Sequence, residues 1–179
     1  SALLPAQASA QANRQPDDNT YSQDEIVAAG QRFFGVSAAG LATVVERVFE
    51  DLGRPTVYIQ GDEGSGAAGV GLRYGRGLLR LKSRQGTTRV YWQGPTIGID
   101  TGGNASKVFT LCYNLTSPEQ IFERFGGVDG SAYFVGGVGV NYQRRDDITL
   151  APIRAGVGLR LGASVSYLHY SRRRRIVPF

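Results

Sequence analysis

The stretch Ile153–Tyr170 constrains this chain more than any other. Every second residue, Ile153, Ala155, Val157, Leu159, Leu161, Ala163, Val165, Tyr167 and His169, falls in a set that is almost entirely apolar. The residues between, Arg154, Gly156, Gly158, Arg160, Gly162, Ser164, Ser166, Leu168 and Tyr170, are mostly Arg, Gly and Ser. Successive side chains of a strand point to opposite faces, so alternation held without a slip reads as β-structure rather than helix. One long strand is expected, or two strands breaking near Gly162. A strand with one oily face needs partners, and the rest of the chain is expected to supply them.

Several segments have that character. Thr56–Gln60 is a short β run, followed by a loop over Gly61–Gly66. Leu72 and Tyr74 alternate with Gly71 and Arg73, and the apolar parity then shifts across Gly75-Arg76-Gly77 to Leu79 and Leu81. Such a shift predicts a turn or bulge. Thr88–Trp92 and Thr96–Asp100 read as strands, and Lys107–Tyr113 places Phe109, Leu111 and Tyr113 on one side. Ala132–Val140 alternates again, and Arg144–Asp147 is a hairpin tip. Glycine is abundant, 25 of 179 residues, and the echoes Gly69-Val-Gly, Gly137-Val-Gly and Gly156-Val-Gly put it inside strands. Alternate glycines weaken a strand unless the sheet curls tightly or an aromatic ring or helix approaches closely. The expected fold is therefore mainly β, a small antiparallel β-barrel of about eight strands.

Helices are expected to pack on it. Leu41, Val44, Val45, Val48, Phe49 and Leu52 recur at helical spacing, with Ser37 placed to cap the start, Gly53 to close the end and Pro55 to stop continuation. Ser22 and Glu25 make a capping-box pattern before a shorter helix over Ile26–Phe34. Ser117-Pro118-Glu119-Gln120 predicts a third, running through Phe125. One longer and one or two short helices are thus expected, within a domain at 21–171. Residues 1–20 read as a tail, with Leu3, Leu4 and the Ala-x-Ala steps at Ala8–Ala12 expected to be the remnant of a bacterial signal peptide. Residues 172–179 read as a basic C-terminal tail.

Chemistry is sparsely signalled. Cys112 is the sole cysteine, which excludes an intrachain disulfide and a cysteine zinc cluster, and its apolar neighbours predict a buried thiol. Gly64-Ser-Gly-Ala-Ala-Gly69 matches a dinucleotide fingerprint, but strand-like sequence follows where a helix is required. His169 has no companion ligand. Asp62, Glu63 and Asp100 sit among glycines that predict solvated loops. No supported nucleophile or acid–base constellation is legible, so no enzyme, cofactor or metal is expected. The net charge of +5 is carried by 18 Arg and 2 Lys. The run Arg172, Arg173, Arg174 and Arg175 is a candidate contact for an anionic ligand or membrane surface. Tyr91, Tyr133, Tyr142 and Tyr170 are candidates to lie outward, yet nucleic acid is not an expected partner of an exported chain.

The segment Tyr91-Trp-Gln-Gly-Pro-Thr-Ile-Gly-Ile-Asp-Thr-Gly-Gly103 resembles the envelope integrity protein A family of alphaproteobacteria. Tyr21–Ile26, Gly40–Gly53 and Gly127–Ala132 support the likeness, which runs over about Tyr21 to Tyr170. The resemblance implies a periplasmic, non-enzymatic β-barrel protein that supports the cell envelope. A more distant similarity is to the SYLF lipid-binding module, through Gly69–Gly77, Trp92–Pro95, Gly98–Gly103 and Asp129–Gly139. That module's late Tyr-Ser element is not clear here. Together these lead to an expected partner that is an envelope lipid, a lipopolysaccharide component or an envelope protein, with Trp92, Asp100 and Arg172–Arg175 as candidate contacts. An envelope-glycan hydrolase or transferase, which would need Asp100 with a second titratable group, and a small outer-membrane barrel are the alternatives.

Overall fold

The computed structural model describes residues 19–35, 40–66, 72–95, 106–155 and 167–174. The leader, Ser37, the strand expected at Thr96–Asp100, the break near Gly162 and Arg175 lie outside these residues. Two helices come first, α1 (Gln23–Phe34) and α2 (Leu41–Leu52). Ten strands follow: β1 (Val57–Gly66), β2 (Leu72–Leu81), β3 (Thr88–Pro95), β4 (Ser106–Tyr113), β5 (Arg124–Gly127), β6 (Tyr133–Val135), β7 (Val138–Val140), β8 (Gln143–Arg145), β9 (Ile148–Ala155) and β10 (Tyr167–Ser171). Eight of them pair antiparallel in the order β4-β1-β2-β3-β10-β5-β8-β9, and β9 returns to β4. The ring is closed, as the alternating, glycine-rich sequence predicts. The β6–β7 hairpin adds to the far end of β9 through Val138↔Ala155 and Val140↔Ile153.

The helix boundaries follow from their caps. In α1 the Ser22 hydroxyl accepts the Glu25 N–H at 3.1 Å and the Glu25 carboxylate accepts the Ser22 N–H at 2.9 Å, so the helix starts ahead of Ile26. Gly53 closes α2 at φ 86°, a conformation glycine adopts without strain. Both helices are 12 residues long. The expected helix from Ser117 through Phe125 is corrected: Pro118–Ile121 makes a single 3-10 turn, and the chain then extends into β5. Phe125 pairs with Leu168 and is fully buried, so the barrel wall claims the residue that would have completed the helix face.

Two strand expectations are also corrected. Gly61–Gly66 is the second half of β1, and β1 pairs residue for residue with β2 from Val57↔Leu81 to Gly66↔Leu72. That unbroken register leaves no turn or bulge at Gly75–Gly77. The alternation over Ala132–Val140 is a hairpin, because Gly136 and Gly137 both take positive φ (59° and 79°) between β6 and β7.

Directly paired residues share a face, so the registers define rows around the interior. Leu81, Val57, Cys112 and Leu150 form one row, and Leu79, Ile59, Thr110 and Pro152 the next. Gly77, Gly61, Val108 and Arg154 follow, then Gly75 and Glu63. The glycines make room for Trp92, which pairs with Gly75 from β3. A Cβ at Gly75 would fall inside the Trp92 indole, and one at Gly61 would lie 2.7 Å from its Cη2. Trp92, Tyr170 and Phe125 complete this core, with ring centroids 5.4 Å and 5.8 Å from Tyr170. An eight-stranded ring is just wide enough for side chains to fill it, and among the described residues these pack against one another across it. Tyr170, a candidate to face outward, belongs to this interior. Cys112 is buried in it, as its neighbours predict.

The outer face of the same wall makes a second core. Tyr58, Phe109, Leu111, Tyr113, Ala151 and Ile153 turn outward beneath Ile26 and Ala29 of α1 and Leu41, Val44, Val45 and Val48 of α2. The oily parity of β9 therefore faces the helices, and its other parity, Leu150 and Arg154, faces the interior.

Candidate functional site

The interior parity of β1 and β2 ends in charge. Glu63, Arg73 and Arg154 are all buried, at 2%, 1% and 2% exposure. Glu63 accepts from Arg73 Nη1, from Arg154 Nε at 3.0 Å and Nη2 at 2.7 Å, and from Trp92 Nε1 at 3.0 Å. Arg154 also reaches Asn141 Oδ1 at 3.2 Å. One carboxylate thus ties β1, β2, β3 and β9. Burial opposes the charge of Glu63, but the Arg154 guanidinium, with Arg73 and the Trp92 N–H, outweighs it and holds the carboxyl at about 2. Burial likewise opposes the charge of Arg154, and Glu63 reverses the balance, so its pKa is raised.

This arrangement fastens rather than reacts. A carboxylate has about four lone-pair sites, and four donors occupy them here. Glu63 holds no proton to give near neutral pH and presents no open site for one to take. The expected solvated loop carboxylate is corrected for Glu63, which is a buried strand residue, while Asp62 beside it is exposed. Burial alone pushes the Cys112 thiol up, far from a reactive thiolate.

A second place lies on the outside. An open cleft of about 540 Å³ is lined by Phe122, His169, Tyr170, Ser171 and Arg172–Arg174. Arg172 stacks over the Phe122 ring at 4.4 Å, and the Ser171 hydroxyl donates to the Arg173 carbonyl at 2.8 Å. Arg172, Arg173 and Arg174 are exposed. Close by, Arg124 of β5 pairs with His169 and stacks over Tyr167 at 4.6 Å.

Of the residues the sequence singled out, the structure brings Arg172, Arg173 and Arg174 together at this cleft. Trp92 is not with them. It lies inside the barrel, with Tyr170 between it and the cleft, and its N–H is bound to Glu63. Asp100 and Arg175 lie outside the described residues. Sequence reasoning missed Glu63, Arg73 and Arg154 as a unit. The available signal was the glycine parity: Arg73 shares its face with Gly75 and Gly77, residues whose small size suits a crowded interior. Among the described residues no group of three or more His, Cys, Asp and Glu is placed to hold a metal.

A closed antiparallel barrel with two helices packed on one flank defines the class of protein, and comparison with known proteins narrows it. The profile of the envelope integrity protein A family matches residues 19–179. A crystal structure of a β-barrel-like, uncharacterised protein from Brucella abortus is similar at 46% identity and TM-score 0.82, covering 90% of this chain and 99% of that one. No curated protein matches the chain. The chain belongs to the envelope integrity protein A family. The family ties it to the cell envelope, and the resemblance carried by Tyr91–Gly103 holds.

Proposed function

We propose that this chain is a non-enzymatic periplasmic protein that supports the envelope through contacts on its outer surface, to an envelope lipid, a lipopolysaccharide component or an envelope protein. The observation that carries this reading is the packing of the described interior side chains against one another. Trp92, Tyr170, Phe125 and the Glu63 cluster occupy the space in which a lipid carrier would hold its cargo. The reading as a periplasmic chain draws on the leader-like opening and on the family. A catalytic role for Glu63 is disfavoured by its four occupied lone pairs. The outer-membrane barrel is disfavoured by polarity: such barrels turn an apolar band outward, whereas here Arg76, Arg80 and Arg89 are exposed on the outside and Val57, Ile59 and Leu79 fill the inside.

The test is to delete the gene, measure survival in detergent, and ask whether an exported full chain under graded expression restores any survival that is lost. A binding protein acts by stoichiometry, so rescue is expected to rise in step with abundance. Full rescue at a small fraction of native abundance would point to turnover and overturn the reading, as would rescue by a chain retained in the cytoplasm.

A further inference from the structure

Among the described residues the helices cover one flank of the barrel. They pack over β1, β4, β7 and β9, and the outer faces of β2, β3, β10 and β5 carry a different surface. The two flanks differ in charge. On the helices Asp24, Glu25, Glu46, Glu50 and Asp51 outnumber Arg32 and Arg47. On the other flank Arg76, Arg89, Arg124 and Arg172–Arg174 are exposed. Among the acidic residues at its margin, Glu123 is paired with Arg145 at 3.3 Å, and Asp62 lies on β1 opposite Arg76.

We infer that this flank, centred on the cleft of Arg172–Arg174, docks on a phosphate-rich anionic lipid surface. The inference rests on the reading above that the chain works through its exterior, and it names the surface and the partner's chemistry. Three features carry it. The charge is supplied by arginine, whose planar fork matches phosphate oxygens two at a time. Arg124 and Arg172 lie stacked on Tyr167 and Phe122, which fixes each guanidinium plane and leaves N–H groups at its edge for a headgroup. The registers also place half-exposed Tyr74 and Tyr91, together with Leu78 at 43% exposure, on the same outer faces, giving the amphipathic side chains that settle at a membrane interface. The cleft opens on the outer surface beside exposed Arg172–Arg174, where a headgroup held in a membrane surface can reach it.

The test is cosedimentation of the full chain with phosphatidylcholine vesicles, alone or mixed with phosphatidylglycerol. Binding is expected only with the mixed vesicles, and is expected to fall as salt rises. Arg172→Ala with Arg173→Ala is expected to weaken partition roughly thirtyfold, from the attraction of two cations to an anionic surface. Arg32→Ala with Arg47→Ala removes the same charge from the helical flank and is expected to change it far less. All four side chains are exposed, and circular dichroism checks that each variant folds. Equal losses from the two pairs would overturn the assignment of this flank. Absence of binding to mixed vesicles, with crosslinks from His169 to an envelope protein instead, would overturn the lipid surface in favour of a protein. Either result leaves the graded-rescue experiment intact, so failure of this inference is separable from failure of the function it rests on.

Discussion

Ile153 and Arg154 are neighbours on β9, both buried, and they inhabit different cores. Ile153 turns outward beneath the helices, in a layer of aliphatic and aromatic side chains with Tyr58 and Phe109 stacked at 5.1 Å. Arg154 turns inward, where apolar rows give way to glycine, then to Trp92 and a carboxylate held by two arginines. The helix-facing core is held by area and shape, with no charge at its centre. The interior holds its charged end by mutual satisfaction, and each partner there is costly without the others. Burial is therefore a poor guide to hydrophobicity in a small barrel, because the inward face must first be narrow enough to close.

That contrast gives the largest expected effect to the interior. Glu63→Leu leaves Arg73 and Arg154 buried without the carboxylate that joins them, and should cost about 3–5 kcal/mol, read as a fall in the urea midpoint. The same residue sets an acid window. Its folded pKa is lowered from 4.5 to about 2, so its contribution is complete above pH 4.5 and is lost as pH falls towards 2. Urea midpoints measured across that window should slope steeply in the native chain. In Glu63→Leu the slope should shrink, while Glu25, whose pKa the Lys82 hydrogen bond lowers at the surface, still contributes.

Smaller effects sharpen the boundary between the cores. Gly75→Ala would ordinarily favour a strand, but here the new methyl meets the Trp92 indole. The expected result is a loss of about 2 kcal/mol with a shift in Trp92 emission, since Trp92 is the only tryptophan. Ser22→Ala removes the cap of α1 and should cost about 1 kcal/mol, with Trp92 emission unchanged. Thermal unfolding with paired fluorescence reads both variants. A Ser22→Ala chain that altered the indole signal would mean that the two cores are not separate.

Much of this division was legible in the sequence. Period-two runs gave the strands, helical spacing gave α2, and Ser22 with Glu25 gave the start of α1. The inward end of the barrel was not legible, for a physical reason. Leu72 and Tyr74 are the apolar residues of their stretch, yet the register turns them outward and sends Arg73 in. An apparent change of parity at Gly75–Gly77 was in fact one parity that passes from arginine through glycine to Leu79 and Leu81. Phe125 could be placed on either a helix or a strand by spacing alone, and only its pairing with Leu168 decides. At the cleft, Arg172–Arg174 were visible as a run, while the stacking of Arg172 on Phe122 and of Arg124 on Tyr167 depends on strand neighbours distant in sequence.

The central claim is that the barrel is filled and that contact is made outside it, and Trp92 reports on it directly. The full chain would be mixed with anionic vesicles whose acyl chains carry bromine, which quenches indole at close range. Binding with Trp92 emission unquenched is expected, because the indole lies behind Tyr170 and against Glu63. Strong quenching would place acyl chains inside the barrel and contradict the account.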